Sequence, residues 1–123
     1  KVDALGHLGN PNFKFDIDTV LRSAKQHNVA IEVNNSSLTG RSRIGSDVNC
    51  DEIVRIGKEI GVYFTTGSDA HFSEDIANLD HAIELLDKYE VDPEMVITSS
   101  PSRFLNFLLL RGKKRIAEFE HLY

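Results

Sequence analysis

Asp69 and His71 stand two residues apart in Gly67-Ser68-Asp69-Ala70-His71, directly after the β-branched and aromatic run Val62-Tyr63-Phe64-Thr65-Thr66. A carboxylate and a neutral imidazole are hard and borderline donors that together suit zinc, manganese or iron. The preceding run has the composition of a strand, and Gly67-Ser68 is the punctuation that ends it. Asp69 and His71 therefore fall just past the carboxyl end of a strand, where parallel α/β proteins place ligands and chemistry. Taken alone, the pair is also what a surface aspartate near a histidine looks like. Its meaning depends on what stands beside it.

Further polar groups sit where a strand needs none. In a strand over residues 29–34, Val29, Ile31 and Val33 share one face and Ala30, Glu32 and Asn34 the other. Parallel strands are usually apolar on both faces, so Glu32 and Asn34 point either into a polar interior or out from an edge strand. The loop that follows carries Arg41, Ser42 and Arg43 among hydroxyls and glycines. Two guanidinium groups there can hold a phosphate through charge-assisted bonds or can be solvated surface charges. His7 follows a strand-like run over residues 2–6, in Gly6-His7-Leu8-Gly9-Asn10-Pro11. Cys50 reads as a small core residue rather than a nucleophile, because nothing nearby would lower its thiol pKa.

The elements that must position these groups alternate between strand and helix, the pattern of βαβ units feeding a parallel sheet. Ile17, Val20, Leu21 and Ala24 predict a helix over residues 16–27 with Asp16 at its start. A second helix is expected from Asn49, in capping-box spacing with Glu52, burying Cys50, Ile53, Ile56 and Ile60. A third is expected over 74–89, capped by Ser73, with Ile76, Leu79, Ile83 and Leu86 as its stripe and His81 on its surface. A short strand over 95–98 leads to Ser100-Pro101, a strong helix start, and to a helix over 101–111 that is apolar nearly all round and ends at Gly112.

With 123 residues and a net charge of -5, the chain is one domain or part of one, with no basic field to recruit nucleic acid or an anionic membrane. Its longest apolar run, Phe107 to Leu110, is far too short to span a bilayer. A single cysteine excludes an internal disulfide and fits a reducing cytoplasm. The chain opens without methionine, straight into a strand-like run, and so reads as a piece of a longer protein.

Joined in order, these fragments resemble the PHP family of metal-dependent phosphoesterases, named for polymerase and histidinol phosphatase, and within it the bacterial YcdX-type phosphatases. The resemblance rests on Gly6-His7-Leu8-Gly9-Asn10-Pro11, Glu32-Val33-Asn34-Asn35-Ser36-Ser37, residues 45–50, Gly67-Ser68-Asp69-Ala70-His71, Ser100-Pro101-Ser102-Arg103 and Ile116-Ala117-Glu118-Phe119. It implies an α/β fold in which residues 1–123 form the carboxyl-terminal part of a distorted seven-stranded β/α barrel. It also implies a trinuclear centre of divalent metal, zinc or else manganese or iron, to which His7, Asp69 and His71 contribute ligands. The family's amino-terminal His-x-His motif has no counterpart in this chain. The implied reaction is hydrolysis of a phosphorylated small molecule by metal-activated water, with no serine or cysteine nucleophile. Arg41, Arg43 and Asn34 are expected at the substrate, and Glu32 behind a ligand. The rival readings are an amidohydrolase-type hydrolase, a non-catalytic module docking through its last apolar helix, and a self-associating half-barrel.

Overall fold

Among the described residues three parallel strands carry the architecture, each paired with the next in sequence, and parallel neighbours cannot be joined by a tight hairpin turn, so a helical crossover links each to the next. The computed structural model describes residues 2–41 and 43–123. Ser42, one of the polar-loop residues, lies outside the described residues, as does Lys1. Strands β1 (Ala4–Leu5), β2 (Ala30–Asn34) and β3 (Phe64–Gly67) lie side by side in that order. Ala4 pairs with Ala30 and Asn34 with Gly67, so the carboxyl ends of all three strands share one edge. The fold is α/β with parallel βα units. β2 is the central strand, which removes the edge-strand reading of Glu32 and Asn34.

Helix α1 (Ile17–Gln26) makes the first crossover. Asp16 caps it as its sequence suggests, accepting the Thr19 N–H at 2.7 Å, and Leu21 and Ala24 are its buried residues. Helix α2 (Ser46–Ile60) makes the second crossover and starts earlier than the Asn49 cap predicts. Gly45, at φ 90°, turns the chain into the helix without a side-chain cap, and Asn49 instead donates to the Gly9 carbonyl at 2.9 Å. Its Gly57 lies flat against the sheet, where a Cβ would stand 2.9 Å from Phe64 Cζ.

Helix α3 spans only Asp80–Lys88. The Ser73–Asp75 segment is a separate 3-10 turn, and Ala77 at φ 62° breaks the path between the two. Ser73 therefore does not cap α3, Ile76 is largely exposed, and Ala82, Leu85 and Leu86 form the buried face. The expected strand over 95–98 is also absent. Two 3-10 turns, Pro93–Met95 and Ile97–Ser99, leave a lone parallel bridge between Val96 and Phe64. The Ser99 hydroxyl takes up the Pro93 and Val96 carbonyls there, and Thr98 Oγ1 accepts the Thr66 N–H that a paired strand would have used.

Helix α4 (Pro101–Leu110) has the predicted start, with the Ser100 hydroxyl accepting the Arg103 N–H. It stops at Gly112, which sits at φ 79°. Leu105 and Phe107 are buried while Phe104 and Leu110 remain exposed, so α4 is covered on one side only. The main core lies between the sheet and α1, α2 and α3, around Leu21, Ile31, Val33, Val54 and Phe64. Each such fully buried side chain contributes about 1.5–3 kcal/mol. Ala30, on the other face of β2, joins Ile97 and Phe107 in a smaller cluster. Among the described residues no helix is long and apolar enough to cross a membrane.

Candidate functional site

His7 follows β1, Asn34 ends β2 and Asp69 follows β3, so the parallel register alone brings the three to one edge. His7 and Asp69 both adopt φ 53°, and Arg43 in the adjoining loop adopts φ 51°. A left-handed backbone at a residue with a Cβ costs about 1–3 kcal/mol and persists where the surroundings over-determine it, commonly at functional positions. Three such residues at one strand edge mark the candidate site.

Glu32 supplies part of that over-determination. It projects from the centre of the sheet, and its Oε2 accepts the His7 backbone N–H at 2.9 Å. The carboxylate has room because glycines flank it on both neighbouring strands. A Cβ at Gly67 would lie 2.6 Å from Glu32 Oε1, and one at Gly6 would lie 3.1 Å from Oε2. Gly67 is thus a residue of β3 that clears space for Glu32, rather than the punctuation after the strand.

Asn34 is almost wholly enclosed, and its amide faces Ser37, His7 and Asp69. Its Oδ1 accepts the Ser37 N–H at 3.0 Å and bonds the Ser37 hydroxyl at 3.1 Å, while its Nδ2 lies 3.1 Å from His7 Nδ1. Arg43 donates to Ser37 Oγ at 3.1 Å and to Asp69 Oδ2 at 3.0 Å. Burial alone pushes the Asp69 carboxyl up, but hydrogen bonds from Arg43 and Asn34 and the charge of Arg43 hold it below its ordinary value. His7 Nδ1 lies 3.8 Å from both Glu32 Oε2 and Asp69 Oδ2. His7, Glu32, Asn34, Arg43 and Asp69 therefore form one cluster.

His71 and Arg41 stand next to this cluster, around a cleft of about 280 Å³ that Asp69, Phe72, Asp75 and Asn78 help to line. A larger hollow of about 470 Å³ opens between α2 and α3, but its Asp51 and Lys88 neutralise each other and none of the strand-end residues reaches it. The chemistry favours the smaller cleft. Cys50 is buried against Gly9, and burial pushes its thiol up, which agrees with a packing role.

The donor chemistry at this edge suits a divalent metal in part. His71 Nδ1 lies 2.8 Å from the Asp69 carbonyl, which can only accept, so Nε2 is the nitrogen left with a lone pair. An imidazole anchored through its other N–H in this way is the usual arrangement at metal sites. His7 and the Asp69 carboxylate are adjacent. Among the described residues, however, no three His, Cys, Asp or Glu side chains converge on one point. The residues fit as part of a coordination shell, not as a complete one.

Two contributors lie within the stretch from Glu32 to Ser37 without standing out there as site residues. Ser37 links Asn34 to Arg43, and Asn35 turns away from the site to accept the Ala82 N–H at 3.0 Å, capping α3. The available signal was four consecutive hydrogen-bonding residues, Asn34-Asn35-Ser36-Ser37, directly after a strand.

No protein-family model matches the chain. The chain is similar over its whole length to proteins called "Probable phosphatase", 71% identical in Aliivibrio fischeri strain MJ11 and 67% in Vibrio parahaemolyticus. Another in Vibrio atlanticus is 57% identical over 97% of the chain. The chain spans about half the length of the curated relatives it matches, 50%, 50% and 48% respectively.

Proposed function

We propose that this chain supplies the carboxyl-terminal part of a phosphatase active site of the PHP type, in a distorted β/α barrel completed by a segment that it does not itself contain. The carrying observation is the adjacency of His7 Nδ1 and Asp69 Oδ2, 3.8 Å apart at the ends of two different strands, with a guanidinium beside them. The name shared by relatives at 57–71% identity supports the reaction class. Cys50, single and buried, supports a reducing cytoplasm as the setting.

His7, Asp69 and His71 would hold a divalent metal, zinc or else manganese or iron, within a centre whose other ligands come from the rest of the barrel. When bound, such an ion supplies Lewis acidity toward a phosphate ester and acidifies water to near neutrality. The chain's own residues do the rest. Arg41, at the mouth of the cleft, receives phosphate oxygens of a small-molecule ester. Arg43 orients the Asp69 carboxylate, and Glu32 holds the His7 backbone so that its imidazole faces Asp69.

The test joins this chain to the half of the Aliivibrio fischeri relative that it does not cover, and assays phosphomonoesters against carboxylic amides and lactones. Phosphomonoester turnover that is lost in His7→Ala and Asp69→Ala, together with bound metal, supports the proposal. Turnover of acyl substrates alone would point to an amidohydrolase instead. Phosphatase activity indifferent to both substitutions would remove these residues from the site.

A further inference from the structure

We infer that Phe72 sets the substrate preference of the cleft: the alcohol part of the phosphate ester carries an aromatic ring, which packs on the Phe72 ring while Arg41 holds the phosphate. The inference deepens the phosphatase reading and rests on it for the phosphate group alone. Phe72 directly follows His71 and lines the same cleft of about 280 Å³ as Arg41. Among the described residues that line this cleft, Phe72 is the only one with a wholly apolar side chain. Its companions include Ser68, Asp75 and Asn78. A polar cleft with one apolar side chain receives the apolar part of a ligand there.

The ring is presented on a backbone that is tied down on both sides. Before it, His71 Nδ1 lies 2.8 Å from the Asp69 carbonyl. After it, the Phe72 carbonyl accepts the Asp75 N–H at 3.1 Å, at the start of the Ser73–Asp75 turn. Phe72 itself is extended, at φ -129° and ψ 156°, and is 72% exposed. Single exposed apolar residues are common and carry no meaning alone. The charges beside this one supply it. Arg41 is the only lysine or arginine among the described lining residues and attracts a phosphate, whereas Asp75, on the same turn as Phe72, repels it. The phosphate is drawn toward Arg41, and the alcohol part is left to Phe72. An aromatic ring gains there what an aliphatic ring of equal size does not, because offset or edge contacts between ring quadrupoles add about 2- to 10-fold in affinity beyond the area buried.

The test uses the joined protein of the preceding section and two probes, benzylphosphonate and cyclohexylmethylphosphonate, which match in charge and closely in size and contain no ester bond to hydrolyse. Calorimetric titration gives their affinities. We expect benzylphosphonate to bind about 2- to 10-fold more tightly, with the ratio falling to about one in Phe72→Leu and persisting in Phe72→Tyr. Arg41→Gln should weaken both compounds about tenfold and keep their ratio. Equal affinities in the parent, a ratio that survives Phe72→Leu, or binding of neither compound overturns the inference. Undiminished binding in Arg41→Gln removes the role given to Arg41. Turnover of benzyl phosphate and cyclohexylmethyl phosphate is measured separately. Equal kcat/KM for the two esters refutes the preference and leaves the phosphatase reading intact. Ring-selective binding of the phosphonates with neither ester hydrolysed refutes that reading and leaves Phe72 in its assigned role.

Discussion

Arg43 and Asp69, 26 residues apart, meet through a single 3.0 Å bond between Nη2 and Oδ2, and each holds a left-handed backbone angle to do so. The same guanidinium also reaches Ser37, so it ties the loop after β2 to the loop after β3. Arg43→Ala removes both bonds. With the two side chains about a quarter and a fifth exposed, we expect a loss of about 1–2 kcal/mol, read as a lower urea midpoint. Arg43→Lys recovers only part of it, because an ammonium cannot span Ser37 and Asp69 as the planar fork does. A lysine variant as stable as the parent would show that the fork geometry contributes nothing.

Asn35→Ala deletes the acceptor for the buried Ala82 N–H at the start of α3. Leu79 offers no side-chain cap of its own. The expected cost is about 1–3 kcal/mol, with faster amide exchange beginning at Ala82 and extending through the first turn. Exchange at Ala82 unchanged in the variant would mean that another group caps the helix.

Gly67→Ala tests the space reserved for Glu32. The new methyl group would stand 2.6 Å from Oε1, and a flexible side chain can withdraw from it. The global cost should be small, about 1 kcal/mol, but the His7 amide loses its acceptor. The expected result is a chemical-shift change and faster exchange at the His7 N–H with little change in Tm. A His7 amide as protected as in the parent would show that Glu32 does not hold it.

Acid should loosen α3 from α2 through Asp51. Hydrogen bonds from Lys88 and then from Tyr89 hold this carboxyl below its ordinary value of 3.8. A depressed folded-state value means that the stabilisation is fully present above 3.8 and is lost as pH falls through the folded-state value. Asp51→Asn should therefore lower stability near neutrality and flatten its decline in acid, which urea midpoints from about pH 5 downward would show. Parallel pH profiles for the two proteins would contradict the assignment.

Much of the fold was legible because it is local. Asp16 with Thr19, Ser100 with Pro101, and Gly112 each mark a helix end with the residues of that end alone. The strand edge was legible too, since parallel βα alternation forces His7, Asn34 and Asp69 to one side. What escaped was settled at a distance. The start of α3 depends on Asn35, 47 residues earlier, and Ala77 interrupts an apolar spacing that otherwise runs on from Ile76. Asn49 has the composition of a cap but serves the Gly9 carbonyl, so α2 begins on the backbone freedom of Gly45. At the site, Ser37 lies in the stretch from Glu32 to Ser37 that carries the resemblance, but its bonds to Asn34 and Arg43 are not legible there because they depend on which side chains the fold brings to it.

Asn34 and Asn35 are chemically identical neighbours with unrelated duties, one directed at an imidazole and the other at the end of a helix. A single-residue insertion in β2 would put Asn34 in the place of Asn35 and Asn35 in that of Ser36, and a deletion would shift both the other way. Either change keeps two adjacent asparagines in the chain yet leaves one of the two connections without its amide. Length variation among natural or engineered versions of this chain should therefore fall in the stretch around Thr39 to Arg41, past both amides, and spare the segment from Glu32 to Ser37.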